Sequence, residues 1–251
     1  MESQTADKQE TTYSDGISQA LPLWKRALDL VVILMLAPGV LIVGGVLALF
    51  IKTVSPGPVF FRQKRIGYKG REFLCYKFRT MHVNADTESH RSHLNNLIES
   101  QAPMQKLDAQ RDPRMIPFAG IIRASGLDEL AQLLNVARGE MSLVGPRPCV
   151  QYEFVLYTDE QKRRFDAVPG LTGLWQVSGK NRTTFNRMIE LDVEYARTFS
   201  LWLDISIMAR TFQALAVQCQ DTLRMKRAGR TAVAATAGTS TISRPVSSVR
   251  A

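Results

Sequence analysis

Cysteine is scarce in this chain of 251 residues: Cys75, Cys149 and Cys219 stand far apart, with no CxxC or other metal-ligand spacing between them. An odd, scattered set of this kind excludes a disulfide framework and suggests reduced thiols facing the cytosol. Histidine is equally sparse, and all three residues fall between positions 82 and 93. His90 and His93 could share one helix face, but no third ligand stands at a suitable spacing. A solvated helix face therefore fits better than a metal half-site. The first apolar run starts late and lacks a small-residue cleavage site, so no cleavable signal peptide is expected. With 45% hydrophobic and 22% charged residues, the composition excludes collagen-like, mucin-like and wholly disordered chains.

Acidic charge is in deficit. Thirty-two Lys and Arg face 23 Asp and Glu, for a formal net charge of +9. Residues 1–20 carry four acids and one Lys with nothing periodic, and residues 226–251 carry five basic residues and no acid. Neither stretch has the composition of a packed element, and both read as disordered tails. Residues 21–225 keep a net +7, so the folded part is itself basic.

Leu30 to Ile51 form 22 residues without a charge, which is membrane-segment length. Pro38-Gly39 sits near the middle, where a kink or break is expected. Counted from Trp24, each arm is about 20 Å long against a hydrocarbon core of about 30 Å, so neither arm crosses alone. Lys25 and Arg26 flank one end, and Lys52, Arg62, Lys64 and Arg65 follow the other. The positive-inside rule draws both flanks to the cytoplasmic side. These features favour a re-entrant helix over residues 21–52, broken at Pro38, with a kinked single span as the alternative. Residues 53–225 would form the cytosolic domain.

Ser55-Pro56-Gly57-Pro58 is a breaker cluster. VFFRQKRIG and REFLCYKFRTM then flank Tyr68-Lys69-Gly70 and predict a short β-hairpin rich in aromatic and basic residues. From Phe118 the pattern turns helical, with a stripe of Leu127, Leu130, Leu133, Leu134 and Ala137 ended by Gly139. Ile205, Met208, Phe212, Leu215 and Ala216 recur at helical spacing near the end. They suit either a core helix or one lying in the membrane interface, and periodicity does not separate the two.

The densest polar cluster, Arg123-Ala-Ser-Gly-Leu-Asp128-Glu129, stands at the start of the Leu-striped helix. Adjacent carboxylates at a helix start diverge by about 100° and can hold different jobs: one attacking phosphorus, the other helping to hold a divalent cation. The competing reading is a capping box, with Ser125 as N-cap and Asp128 three residues on. Arg147 of Gly145-Pro146-Arg147-Pro148 offers a guanidinium suited to bidentate phosphate contact. The Gly-rich stretch from Pro169 to Gly179, followed by Lys180-Asn181-Arg182, could bind a nucleotide diphosphate.

Taken in order, these pieces resemble the bacterial sugar transferases, membrane-associated phosphoglycosyl transferases that start exopolysaccharide and related glycan assembly. The resemblance rests on Lys25-Arg26-x-x-Asp29, SPGPVFFRQKRIG (55–67), YKFRTM (76–81), Asp112-Pro113-Arg114, Leu127-Asp128-Glu129-Leu130, MSLVGPRP (141–148), PGLTGLWQVSG (169–179) and the SLWLD ending at Asp204. It runs from about residue 23 to 220. It implies a mainly α monotopic protein of the minimal type, with a re-entrant helix, interfacial amphipathic helices and a small β-hairpin. It further implies that Asp128 is the nucleophile, that Glu129 is associated with Mg²⁺, that Arg123 and Arg147 contact phosphate, and that Asp204 is a further functional acid. Lys180 stands where Arg is common in the family, keeping the charge without the bidentate fork.

The resemblance implies transfer of a hexose-1-phosphate from a UDP-sugar donor to a polyprenyl phosphate acceptor at the cytoplasmic face of the bacterial inner membrane. The lipid bilayer is then a partner, and a homodimer is admitted. A carboxylate of ordinary pKa, near 3.9, is ionised at pH 7 and attacks phosphorus without a general base, which predicts a covalent aspartyl intermediate. The rival from another class is a non-catalytic basic scaffold anchored on anionic lipid; it leaves the Asp-Glu pair and the GPRP segment without a role. A nucleic-acid partner is not expected, since nothing reads as a recognition helix.

Overall fold

The computed structural model describes residues 21–83, 88–104, 114–179, 182–217 and 220. The two tails, Lys180, Cys219 and the Asp112-Pro113 pair lie outside these residues, as does the side chain of His90.

The apolar run forms helix α1, Leu23–Val54, which is continuous through Pro38. The expected break is thus not an end of the helix. Proline removes one hydrogen bond from the ladder, and the turns on either side hold the helical path. Among the described residues this is the one helix long and apolar enough to cross a membrane. One face of its middle, including Leu34, Met35, Leu41, Ile42 and Val46, is exposed, while Val32, Ile33 and Val40 pack on the main core; Lys25 and Asp29 near its start and Leu47 and Ile51 near its end are buried.

Both ends of α1 dock on the same folded body. At the start, Lys25 Nζ donates to the Val144 carbonyl (2.9 Å) and the Tyr195 hydroxyl (3.0 Å) and is ion-paired with Asp204. One turn on, Asp29 Oδ1 accepts from Ser142 Oγ (3.1 Å) and Leu143 N (3.0 Å). At the far end, Leu47 and Ile51 pack with Phe78, Ile116, Ala119 and Ile122 in a second, smaller core. Arg79 holds the Ser55 and Pro56 carbonyls at 2.7 Å each, supplying donors and positive charge where the helix leaves carbonyls unsatisfied.

The hairpin forms as predicted. Strands β1 (Phe60–Ile66) and β2 (Glu72–Phe78) pair antiparallel from Phe60↔Phe78 to Ile66↔Glu72. Lys69 and Gly70 take positive φ in the turn. Helix α2 (Glu88–Ser100) follows. The Leu stripe is not one helix. Helix α3 (Ala119–Ser125) stops at Gly126 (φ 75°), a 3-10 helix spans Leu127–Gln132, and α4 (Leu133–Arg138) ends at Gly139 (φ 83°). The left-handed conformation at Gly126 suits glycine and few other residues and separates α3 from the stripe, which itself divides at Gln132 between a 3-10 and an α-helix because its spacing fits either type.

Strands β3 (Ser142–Val144) and β4 (Gly170–Thr172) form a parallel pair the sequence did not announce. Short helices α5 (Gln151–Phe154), α6 (Asp159–Lys162) and α7 (Leu174–Val177) precede the longer α8 (Phe185–Thr198). Residues 201–217 form helix α9. It divides its faces: Asp204 and Ile207 point inward, while Trp202 (78% exposed), Ile205 and Phe212 point outward. The fold is mainly helical with a small antiparallel hairpin.

Breaking a buried ion pair leaves one charge unpaired, at a cost of about 3–5 kcal/mol. Lys25→Met is therefore predicted to lower stability by about that amount, and Lys25→Met/Asp204→Leu to recover much of it. Denaturant unfolding of detergent-solubilised protein checks both.

Candidate active site

Asp128 and Glu129 lie in the first turn of the 3-10 helix. With three residues per turn, successive side chains diverge by about 120°, and the two carboxylates part accordingly. Asp128 turns inward and is 7% exposed. Glu129 faces outward into an ion pair with Lys77 of β2 (2.8 Å). The capping box does not form. Ser125 belongs to the last turn of α3 and its hydroxyl bonds back to the Ile121 and Ile122 carbonyls (2.9 and 3.0 Å). Gly126 occupies the N-cap position, which has no side-chain cap. The carboxylate pair is thus not held there as an end cap.

The acidic turn is fixed to the hairpin through Asn135. Its amide donates to the Leu74 carbonyl (2.6 Å) and accepts from Tyr76 N (3.0 Å), completing the edge of β2 as a neighbouring strand would. Glu140 accepts from the same amide.

Arg147 comes from the loop after β3, whose shape is set by contacts between main chains. A Cβ on Gly145 would lie 2.2 Å from the Val168 carbonyl oxygen, and one on Gly170 would lie 2.0 Å from Gly145 N. Gly145 N donates to the Thr172 carbonyl and Gly170 N to the Pro146 carbonyl, both at 2.9 Å. GPRP and PGLTG are thus one packed unit, and their glycines serve this close approach. Trp175 is likewise buried, its indole N–H donating to Thr183 (2.7 Å).

Behind this loop lies a buried ionic cluster. Arg147 Nη1 reaches both Glu153 carboxylate oxygens at 3.4 Å, and Arg147 N donates to Asp192 (3.3 Å). Arg164 donates to the Arg147 carbonyl (2.9 Å) and to Tyr157 (2.7 Å), and is ion-paired with Asp192. Burial works against charge on Glu153, but Arg147 and Arg164 outweigh it and hold its carboxyl below the usual range. For Asp192 burial prevails over Arg164 and raises the carboxyl. Arg65 of β1 joins from the hairpin, donating to Gln63 (2.8 Å) and, at 3.4 Å, to the Pro148 carbonyl.

Cys75 connects the two halves. Burial raises its thiol pKa, Lys77, Arg65 and Arg147 oppose the rise, and Glu129 reinforces it. Four charges from the hairpin, the acidic turn and the GPRP loop thus converge on one residue of β2. Of the residues singled out from sequence, Glu129 and Arg147 both act electrostatically on Cys75, and Asp128 adjoins Glu129 in the chain. Arg123 sits half-buried in the last turn of α3. Asp204 does not join them: it is buried under α1 with Lys25 and Tyr195. Lys180 is outside the described residues.

Sequence reasoning missed Arg65 and Lys77 as site residues: Arg65 was read only as a basic flank of the membrane segment, and Lys77 stood inside a quoted motif without a role. Alternation was their available signal: Arg65 lies on the same face as Gln63, whose cross-strand partner is Cys75, and Lys77 lies two residues beyond Cys75. Glu153, Arg164 and Asp192 had no comparable signal. A concavity of about 560 Å³ lies elsewhere, between α6 and α8, lined by Glu160, Arg187, Glu190 and Arg197.

Both described cysteines are buried and free. The Cys149 thiol is pushed up to about 12, by burial and then by Glu153. Below that pH the neutral thiol dominates, and it is the thiolate that reacts. Maleimide labelling of the native protein between pH 7 and 9 is predicted to leave Cys75 and Cys149 unmodified, and unfolding to expose both, as read by peptide mass spectrometry.

The bacterial sugar transferase family model matches residues 20–218, and the chain belongs to that family. It is 40% identical over 179 residues to the galactosyl transferase CpsE of Streptococcus agalactiae, covering 70% of this chain and 39% of that protein. The chain thus spans about two fifths of that relative's length. Over 195 residues it is 36% identical to the exopolysaccharide production protein ExoY of Sinorhizobium fredii, covering 76% of this chain and 84% of ExoY. A UDP-glucose:undecaprenyl-phosphate glucose-1-phosphate transferase of Caulobacter vibrioides is 40% identical over 209 residues, covering 78% and 71% respectively.

Proposed function

We propose that this protein transfers a sugar-1-phosphate from a UDP-sugar to undecaprenyl phosphate, in exopolysaccharide or related glycan assembly. The observation that carries the reading is the division of labour within the acidic turn. Asp128 is recessed, whereas Glu129 opens toward Lys77, on the face where Arg65 and Arg147 bring positive charge to bear on Cys75. Family membership and the Caulobacter relative's donor and acceptor support the same reading.

In the proposed chemistry, a carboxylate oxygen of Asp128 bonds to the phosphorus that carries the sugar. The phosphoanhydride bond to UMP breaks, and its electron pair leaves on UMP. The acceptor's phosphate oxygen then attacks the same phosphorus and releases the Asp128 carboxylate. Cations lining the face offset the repulsion between an anionic nucleophile and an anionic donor, and such positioning and charge stabilisation carry most phosphoryl transfers.

Glu129 would hold Mg²⁺ together with the donor diphosphate. The donor set fits, because Mg²⁺ keeps several waters and binds through one or two carboxylates plus substrate phosphates. Once bound, the ion neutralises diphosphate charge. Glu129 is ion-paired with Lys77 (2.8 Å), and Mg²⁺ would compete with that ammonium for the carboxylate.

The membrane arrangement follows from α1. The exposed apolar face of α1 would lie in the bilayer while its ends and Val40 rest on one body, and the basic flanks at both ends support a re-entrant, monotopic disposition on the cytoplasmic side. Trp202, Ile205 and Phe212 of α9 would lie in the interface. There the acceptor's phosphate, at headgroup level, and a soluble donor share one plane.

The test is UMP release from a panel of UDP-sugars with undecaprenyl phosphate and Mg²⁺. Asp128→Asn is predicted to lower turnover on the order of a thousandfold or more. Glu129→Gln should lose most activity with its unfolding midpoint kept, and chelation should stop turnover until Mg²⁺ is restored. Turnover of Asp128→Asn near the parent rate, or full activity in excess chelator, contradicts the corresponding part of the reading.

A further inference from the structure

The ionic cluster behind the GPRP loop does not balance. Arg65, Arg147 and Arg164 contribute three guanidiniums, and Glu153 and Asp192 contribute two carboxylates. Neither carboxylate is hydrogen-bonded to Arg65: Asp192 pairs through Oδ2 with Arg164, its Oδ1 buried without a hydrogen-bond partner, and Glu153 takes Arg147, the Tyr157 hydroxyl and, at 4.0 Å, Arg164. Arg65 is 9% exposed, and its partners among the described residues are neutral, the Gln63 amide oxygen and the Pro148 carbonyl. Burying a cation without an anion is costly, and a structure that does so gains most from an anion supplied from outside.

Such an anion has one direction of approach. Arg164 is fully buried, whereas the Arg147 side chain keeps 25% exposure. Arg65 meets the loop at Pro148, next to Arg147, and both cations act electrostatically on Cys75. Two guanidiniums side by side suit a ligand with two phosphates, since each planar fork can bind bidentately.

We propose that Arg65, with Arg147, forms a two-guanidinium site for the diphosphate of a nucleotide ligand, and that Glu153 holds Arg147 in position for it. This rests on the proposed function, with Arg65 as an additional binding residue. Two guanidinium forks serve two phosphates, so the site prefers a diphosphate to a monophosphate.

The experiment measures UDP and UMP binding to the full-length protein in detergent with Mg²⁺, by calorimetry, alongside thermal unfolding. The parent protein should bind UDP more tightly than UMP. Arg65→Met should weaken UDP about tenfold, the loss of a charge-assisted hydrogen bond, while UMP affinity changes far less. Arg65→Lys keeps the charge without the fork, should fall between, and decides the matter if Arg65→Met does not fold. Arg62→Met is the control, removing the same charge from the exposed opposite face of β1 with no predicted effect. If the parent binds neither nucleotide, the UDP-sugar reading itself fails. If it prefers UDP and the Arg65 variants keep that preference, or Arg62→Met erodes it equally, this inference alone is overturned.

Discussion

The grip of α1 on strand β3 is the interaction on which the rest depends. Asp29 binds Ser142 and Leu143, and Lys25 binds Val144, so three successive residues of one short strand are held by two charged side chains a helical turn apart. Placing those charges at the base of an apolar helix is costly unless each is paired. Asp204 and Tyr195 supply the pairing for Lys25, and through them α8 and α9 join the same knot.

Consequences run directly into the site. Val144 is followed by Gly145, whose main chain lies so close to Gly170 that neither position has room for a side chain. Two residues further stands Arg147, gripped by Asp192 and Arg164 at its backbone and by Glu153 at its guanidinium. The helix proposed to enter the membrane is thus joined through one short strand to the arginine proposed to bind phosphate. In that arrangement the depth of α1 and the height of the site above the bilayer are one mechanical property.

How far the sequence was legible depended on the distance over which each feature is decided. The hairpin was read correctly because alternation and a Tyr-Lys-Gly turn are local, and the stop at Gly139 because a left-handed residue ends a helix locally. The Leu stripe misled because spacings of three and four suit both α and 3-10 turns, so only the conformation of Gly126 separates α3 from the acidic turn. Ser125 looked like a cap for the same reason, and its hydroxyl in fact closes the helix before. Lys25 read as a flanking topology signal and Asp204 as a functional acid; their pairing joins residues 179 apart. Arg164 and Asp192 are ordinary in sequence, and burial alone reveals them. The Gly-rich stretch was read for its phosphate-binding potential alone; its packing on Gly145 belongs to a strand pair with no sequence signature of its own.

The central claim is that the recessed carboxylate of Asp128 takes the sugar phosphate before the lipid does. Intact-protein mass spectrometry after mixing enzyme with UDP-sugar and Mg²⁺, without any polyprenyl phosphate, tests it most directly. The account predicts an adduct of one sugar phosphate on the parent protein, mapped to the peptide carrying Asp128 and discharged when undecaprenyl phosphate is added. An enzyme that turns over with both substrates, yet never carries that adduct with the donor alone, would contradict it.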